Sequence, residues 1–153
     1  MEEKIKNIIY RDRKRKYFFK SIKEIDVFEF ENNIDLPKDY KNFLFKYGDF
    51  FVEDNYEYKP LQPSPLTEDG YDAIEYFYGS NIYSNLGIYK ERLNEQLLPI
   101  ADQAFGDFIC IGVKNEYRGK IYFWVHDLSY LMEESLFLVA NSLEEFIDSF
   151  EKR

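Results

Sequence analysis

The sequence predicts an α+β domain in which N-terminal helices precede a central, mainly antiparallel and twisted sheet of about four to six strands, with a C-terminal helix packed on that sheet. Two capping-box patterns, at Ser21 and Ser142, predict a helix near each end of the chain. Several β-rich runs lie between them. Hydrophobic residues make up 45 % of the chain, and no linker or internal repeat interrupts it. Residues 1–153 are therefore predicted to form one domain.

Two helices are predicted early in the chain. Glu24 follows Ser21 by three residues, a spacing that lets each side chain satisfy a free backbone donor at a helix start. Apolar residues then recur at helical spacing, at Ile22, Ile25 and Phe28. A second helix is predicted over 37–47, because Pro37 favours a first helical turn and Gly48 favours a helix end.

The middle of the chain is rich in tyrosine and acidic residues, and three prolines mark a loop within it. Short strands are predicted at 50–52 and 56–58, and a short helix at 69–78. Residues 81–96 are predicted to be helical, because apolar residues recur there at helical spacing. Those residues are Ile82, Leu86, Tyr89 and Leu93.

The second half of the chain contains the clearest strand patterns. Strands are predicted at 97–101, 108–113, 120–125 and 136–140, with Arg118 and Gly119 in a hairpin turn. Ser142 and Glu145 then repeat the capping-box spacing. The buried face of this last helix is predicted to consist of Leu143, Phe146, Ile147 and Phe150.

Charge is distributed unevenly along the chain. Residues 1–23 have a net charge of +6, whereas the remaining residues have a net charge of −15. The acidic body would repel a phosphate backbone, so direct nucleic-acid binding is not expected. The same field would speed association with a basic protein, although net acidity also serves simple solubility.

Residues 1–20 are interpreted as a basic N-terminal extension. Its basic run, 11–16, suits a solvated helix face or turn, because aromatic residues follow it at once. Contacts with nucleic acid, with the acidic body or with a partner are the alternatives.

A reduced, cytoplasmic location is predicted. The single cysteine, Cys110, cannot form an internal disulfide, and its apolar neighbours indicate an inert buried thiol. No apolar stretch approaches the length of a membrane span, and the N-terminus lacks the pattern of a signal peptide.

The sequence offers little for catalysis. Its single histidine, His126, precedes Asp127, and no nucleophile motif accompanies the pair. Metal-site spacings and glycine-rich phosphate loops are also absent from the sequence. We therefore predict no enzyme activity, catalytic residue, metal or cofactor. Acidic residues are so numerous that a two-carboxylate hydrolase stays open as a remote alternative.

Four segments, at 25–48, 98–110, 119–127 and 139–147, carry a family pattern. In the first, Glu31 on a helix leads to Leu36, Pro37, Asp39, Tyr40, Phe43, Leu44 and Gly48. The others read Leu-Pro-Ile-Ala before Gly-Asp-Phe-Ile-Cys, then Gly-Lys-Ile-Tyr-Phe-Trp-Val-His-Asp, then Val-Ala-Asn-Ser-Leu-Glu-Glu-Phe-Ile. In this order, over about 22–150, they resemble the SUKH superfamily, which includes yeast cell-wall-synthesis regulators. The chain departs from the family pattern at Asp49 and Phe105, where glycine is common.

The resemblance implies a bacterial immunity protein that binds and neutralises a cognate polymorphic toxin, expected to be a basic nuclease domain. A regulatory scaffold with a non-toxin cellular partner is the alternative. The resemblance predicts neither an oligomeric state nor contact with a membrane. Partner contacts are predicted in the acidic, tyrosine-rich middle segment, at Glu53, Asp54, Tyr56, Glu57, Asp69, Tyr71, Asp72 and Glu75. Trp124 is interpreted either as a core residue or as a further partner contact.

Overall fold

The computed structural model describes residues 1–10, 19–79, 82–103 and 106–153. Within those ranges the chain forms an antiparallel sheet of six strands in the order β1-β3-β4-β5-β6-β7. The strands are β1 (Phe50–Phe51), β3 (Tyr76–Phe77), β4 (Leu97–Asp102), β5 (Phe108–Gly112), β6 (Ile121–Trp124) and β7 (Leu136–Ala140). The remaining strands, β2 (Tyr56–Tyr58) and β8 (Phe150–Lys152), form a separate antiparallel pair.

Helices precede the strands and lie between them along the chain. They are α1 (Glu2–Ile8), α2 (Ile22–Asn32), α3 (Lys38–Tyr47), α4 (Ile82–Tyr89), α5 (Met132–Ser135) and α6 (Leu143–Asp148). The predicted α+β domain, with early helices, an antiparallel sheet and a closing helix, is confirmed. None of the described helices has the length and apolar character that a membrane span requires.

Both predicted capping boxes form. The Ser21 hydroxyl accepts a hydrogen bond from the Glu24 backbone N–H, and the Ser142 hydroxyl accepts one from Glu145. The return bonds run from the backbone N–H before each cap, at Lys20 and Asn141, to the glutamate carboxylates. These local bonds fix where α2 and α6 begin.

Helices cover the sheet on both faces. Phe77 of β3 contacts Phe43 of α3 at 5.3 Å and Phe146 of α6 at 6.2 Å between ring centroids, which places α3 and α6 on one face. Tyr89 of α4 contacts Phe108 and Trp124, at 4.8 Å and 5.5 Å. Phe108 and Trp124 are register partners, so they share the other face. Strand β5 is accordingly buried along its whole length.

The first ten residues contribute to the core, although they belong to the segment interpreted as an extension. Ile5 and Ile8 of α1 are fully buried. The Lys4 ammonium donates to the Phe150 carbonyl at 2.8 Å, and the Tyr10 N–H donates to the Phe51 carbonyl. The basic run 11–16 lies outside the described residues, as does Phe105.

The predicted helix at 69–78 is wrong. Asp69 and Gly70 have positive φ angles of 54° and 82°, which interrupt a right-handed helix. Asp72 instead exchanges two backbone hydrogen bonds with Tyr58 of β2, and the segment ends in β3. The helix predicted over 81–96 is shorter than expected, because it ends at Tyr89.

Candidate partner-binding groove

A groove of about 900 Å³ opens beside the two-stranded sheet. Two chain segments supply most of its lining, at 52–57 and 66–75. The remaining lining residues are Gln103, Asp107, Val125, Asp127 and Arg153. The groove therefore joins the small sheet to one end of the large one.

Backbone hydrogen bonds hold the two lining segments in place. Tyr58 of β2 and Asp72 exchange N–H to carbonyl bonds of 2.8 Å and 2.9 Å. The Val52 N–H donates to the Glu75 carbonyl at 2.9 Å, and the Glu53 N–H donates to the Ile8 carbonyl at 2.7 Å. These bonds fasten the groove to the core rather than leave it on free loops.

The groove lining is strongly acidic. Among the lining residues that the structure describes, nine carry carboxylates and one, Arg153, carries a positive charge. The nine are Glu53, Asp54, Glu57, Glu68, Asp69, Asp72, Glu75, Asp107 and Asp127. Because so many negative charges line a concave surface, they produce a focused negative field that attracts a cationic partner.

All eight predicted contacts of the middle segment line this groove. Asp54, Asp69 and Glu75 are exposed, and Glu53, Tyr56, Glu57 and Tyr71 are partly exposed. Asp72 is buried, and its carboxylate accepts a hydrogen bond of 2.8 Å from the Thr67 hydroxyl. Burial raises the pKa of the Asp72 carboxyl, an effect that the Thr67 bond opposes and the nearby Glu57 charge reinforces.

The assignment of Trp124 as a partner contact is wrong. Its side chain is only 1 % exposed, because it packs on Phe108 and Tyr89 in the core. The guanidinium of Arg92 lies over the Trp124 ring, 5.1 Å from its centroid, in a cation–π contact. Trp124 therefore stabilises the fold beneath α4.

The sequence interpretation missed Glu68, Asp107, Asp127 and Arg153 as groove residues. Asp107 directly precedes β5, and Asp127 is the third residue after β6. Because β5 and β6 are antiparallel neighbours, both positions lie at the same end of the sheet, and this was the available signal. Arg153 follows β8, whose pairing with β2 brings it to the groove. Nothing in the sequence indicates that pairing.

His126 lies between two of the groove carboxylates. Its Nδ1 is 2.7 Å from Asp107 Oδ1, and its Nε2 is 3.2 Å from Asp127 Oδ1. Both ring nitrogens thus face carboxylates rather than a hydroxyl or thiol nucleophile. No group of three or more possible metal ligands that could hold an ion occurs in the described part of the chain.

A more deeply placed carboxyl adjoins the groove at Asp102, the last residue of β4. Burial raises its pKa to about 6, partly opposed by the Tyr78 hydrogen bond and reinforced by the charge of Glu75. Burial, with a smaller contribution from the charge of Glu75, therefore disfavours ionisation of the Asp102 carboxyl.

Comparison with known proteins supports the resemblance seen in the sequence. The model of the SMI1 / KNR4 family (SUKH-1) matches residues 21–149, close to the predicted span of 22–150. A similar protein is the SPbeta prophage-derived uncharacterized protein YokK of Bacillus subtilis (strain 168). It is 40 % identical, and the match covers 79 % of this chain and 70 % of the relative. The chain belongs to the SMI1 / KNR4 family (SUKH-1).

Proposed function

We propose that the protein is an immunity protein, which binds a cognate toxin and neutralises it by covering the toxin's active surface. The observation that carries this proposal is the groove, in which nine carboxylates converge beside tyrosine rings. Membership of the SUKH-1 family supports a protein partner.

The charge of the groove favours a basic partner, and nuclease toxins are the class we expect. A nuclease that grips phosphates presents lysine and arginine side chains around its active site. Opposite fields of this kind accelerate association and orient the two proteins before contact. The same field disfavours direct nucleic-acid binding by this protein.

The groove also offers apolar contact area, which a stable interface needs in addition to charge. Leu66 lines the groove and is 51 % exposed, and the rings of Tyr56 and Tyr71 are partly exposed. Leu128, which directly follows Asp127, is 46 % exposed. Aromatic and aliphatic groups beside carboxylates are typical of a protein-binding surface.

Co-expression with the toxin encoded beside the gene tests this proposal. We expect the protein to restore growth of cells that produce that toxin, and to co-purify with it as a stable complex. A toxin that remains fully active in the presence of the folded protein would contradict the proposal. A partner that is not a toxin would favour the regulatory scaffold.

Hydrolysis by a carboxylate pair is a second candidate, since the groove brings Glu57 and Asp72 near each other and the pKa of Asp72 is raised. Against it, the Asp72 carboxylate is buried and bonded to Thr67, which leaves it poorly placed to reach a substrate. Substitution separates the two functions. If the protein were a hydrolase, Asp72→Asn would abolish activity, whereas an immunity protein with Asp72→Asn should still neutralise its toxin.

A further inference from the structure

We propose that the end of the groove bounded by Tyr71 and Glu57 is a guanidinium subsite, which Arg153 occupies in the free protein and which an arginine of the basic partner takes over on binding. This inference rests on the proposed function, because it specifies how the groove recognises its partner.

The observation behind it is the position of Arg153. Its guanidinium carbon lies 3.9 Å from the centroid of the Tyr71 ring, at stacking distance. Its Nε is 3.4 Å from the Glu57 carboxylate. A planar cation is thus held between an aromatic face and a carboxylate, inside a groove whose other charged lining residues are acidic.

The subsite is built by the fold. The Tyr71 hydroxyl donates to the Glu151 carboxylate at 2.9 Å, which fixes the ring. Glu151 and Glu57 are register partners in the β2–β8 pair, so the ring and the carboxylate are set by the same two strands. The Arg153 N–H donates to the Asn55 carbonyl at 2.6 Å and anchors the backbone there independently of the side chain.

The side-chain contacts of Arg153 are open to exchange. The Arg153 and Glu57 side chains remain 35 % and 37 % exposed, and ion pairs this open to water contribute little stability. An incoming arginine would re-form the same contacts with Tyr71 and Glu57. Arg153 therefore acts as a competitor that lowers the apparent affinity for an external arginine.

Peptide binding tests the subsite directly. Hexa-arginine and hexa-lysine are titrated against the wild type and Arg153→Ala by calorimetry. We expect the wild type to prefer hexa-arginine, and Arg153→Ala to tighten hexa-arginine binding by roughly 3–10-fold, with a smaller change for hexa-lysine. Lys152→Ala is the matched control. It removes an equal charge from the adjacent residue, which does not line the groove and points to the other face of β8.

Two substitutions at Tyr71 separate the ring from its hydroxyl. Tyr71→Phe retains the aromatic face, so we expect it to keep the preference for arginine. Tyr71→Leu retains apolar bulk without the face, and we expect it to bind both peptides equally. Thermal unfolding of each variant confirms that it is folded.

Equal effects of Arg153→Ala and Lys152→Ala on both peptides would overturn the subsite and leave only general charge attraction. If the two variants have equal effects but the protein still neutralises the toxin, only the subsite is contradicted and the proposed immunity function stands. Conversely, an arginine preference lost in Tyr71→Leu would support the subsite even if the neighbouring toxin were not neutralised.

Discussion

The surroundings of Asp102 disfavour the charged form of its carboxyl. Burial raises the pKa of this carboxyl from an ordinary value of 3.8 to about 6. The folded state therefore holds the Asp102 proton more tightly than the unfolded state does. The resulting stabilisation is complete below about pH 4 and is lost as the pH rises to about 6. Above that range Asp102 is a half-buried charge that weakens the fold.

Replacing this charge gives a pH-dependent prediction. Asp102→Asn keeps the shape of the side chain and an acceptor for the Tyr78 hydroxyl, but it removes the half-buried charge. We expect it to raise the free energy of unfolding at pH 8 by on the order of 2 kcal/mol, with no gain at pH 4. Urea denaturation at the two pH values measures this. Asp54→Asn, at an exposed groove position, should show no such pH-dependent gain. A less stable Asp102→Asn protein at pH 8 would refute the electrostatic explanation.

The candidate site illustrates what residue identity can and cannot predict. Eight of the groove-lining residues were predictable as a group because they lie close together in a sequence segment dense in acid and tyrosine. Trp124 could not be assigned to one role from the sequence, because a large aromatic side chain suits both a core and an interface. Arg153 was missed because the pairing of β8 with β2 joins segments that are far apart in the chain.

Among the secondary-structure elements, those with local signals were predicted well. The capping boxes located the starts of α2 and α6, and alternating or continuous apolar runs located β4 to β7. The structure of residues 69–78 was predicted wrongly because their backbone partners lie in β1, β2 and β4 rather than within the segment itself. Non-local pairing of that kind overrides local helical preference.

The turn between β5 and β6 gives a second prediction. A Cβ atom on Gly112 would lie 1.7 Å from the Tyr117 carbonyl oxygen, so no side chain fits without moving backbone. We expect Gly112→Ala to lower the free energy of unfolding by about 3 kcal/mol or more, or to prevent folding. Glycine is required at position 112 because the Tyr117 backbone approaches it closely, not because the position needs a flexible residue.

Gly87 in α4 provides the matched control, since a Cβ there would meet nothing within 4 Å. Alanine favours a helix over glycine, so Gly87→Ala should stabilise the protein by about 0.5–1 kcal/mol. Differential scanning calorimetry compares the two variants. A tolerated Gly112→Ala, or a strongly destabilising Gly87→Ala, would contradict the described packing.

At the scale of the whole molecule, the uneven charge of the sequence becomes a local feature of the surface. The 52–57 and 66–75 segments, together with Asp107 and Asp127 at one end of the large sheet, place nine carboxylates in one groove. The net charge of −9 would assist solubility wherever it lay. A docking function is favoured because negative charge is concentrated in one groove, whose lining is hydrogen-bonded to the core.

The most direct test of that claim is the rate at which the protein associates with its proposed toxin partner at low and high salt. Asp54, Glu68 and Glu75 are exposed groove acids, and we expect their joint replacement by lysine to lower the association rate at low salt by roughly 10-fold or more. The association rate of this variant should also depend less on salt concentration. Glu31, Glu116 and Glu144 are exposed acids that do not line the groove, so their replacement by lysine changes the net charge equally. We expect a much smaller effect for this control, and equal effects of the two sets would contradict a docking role for the groove.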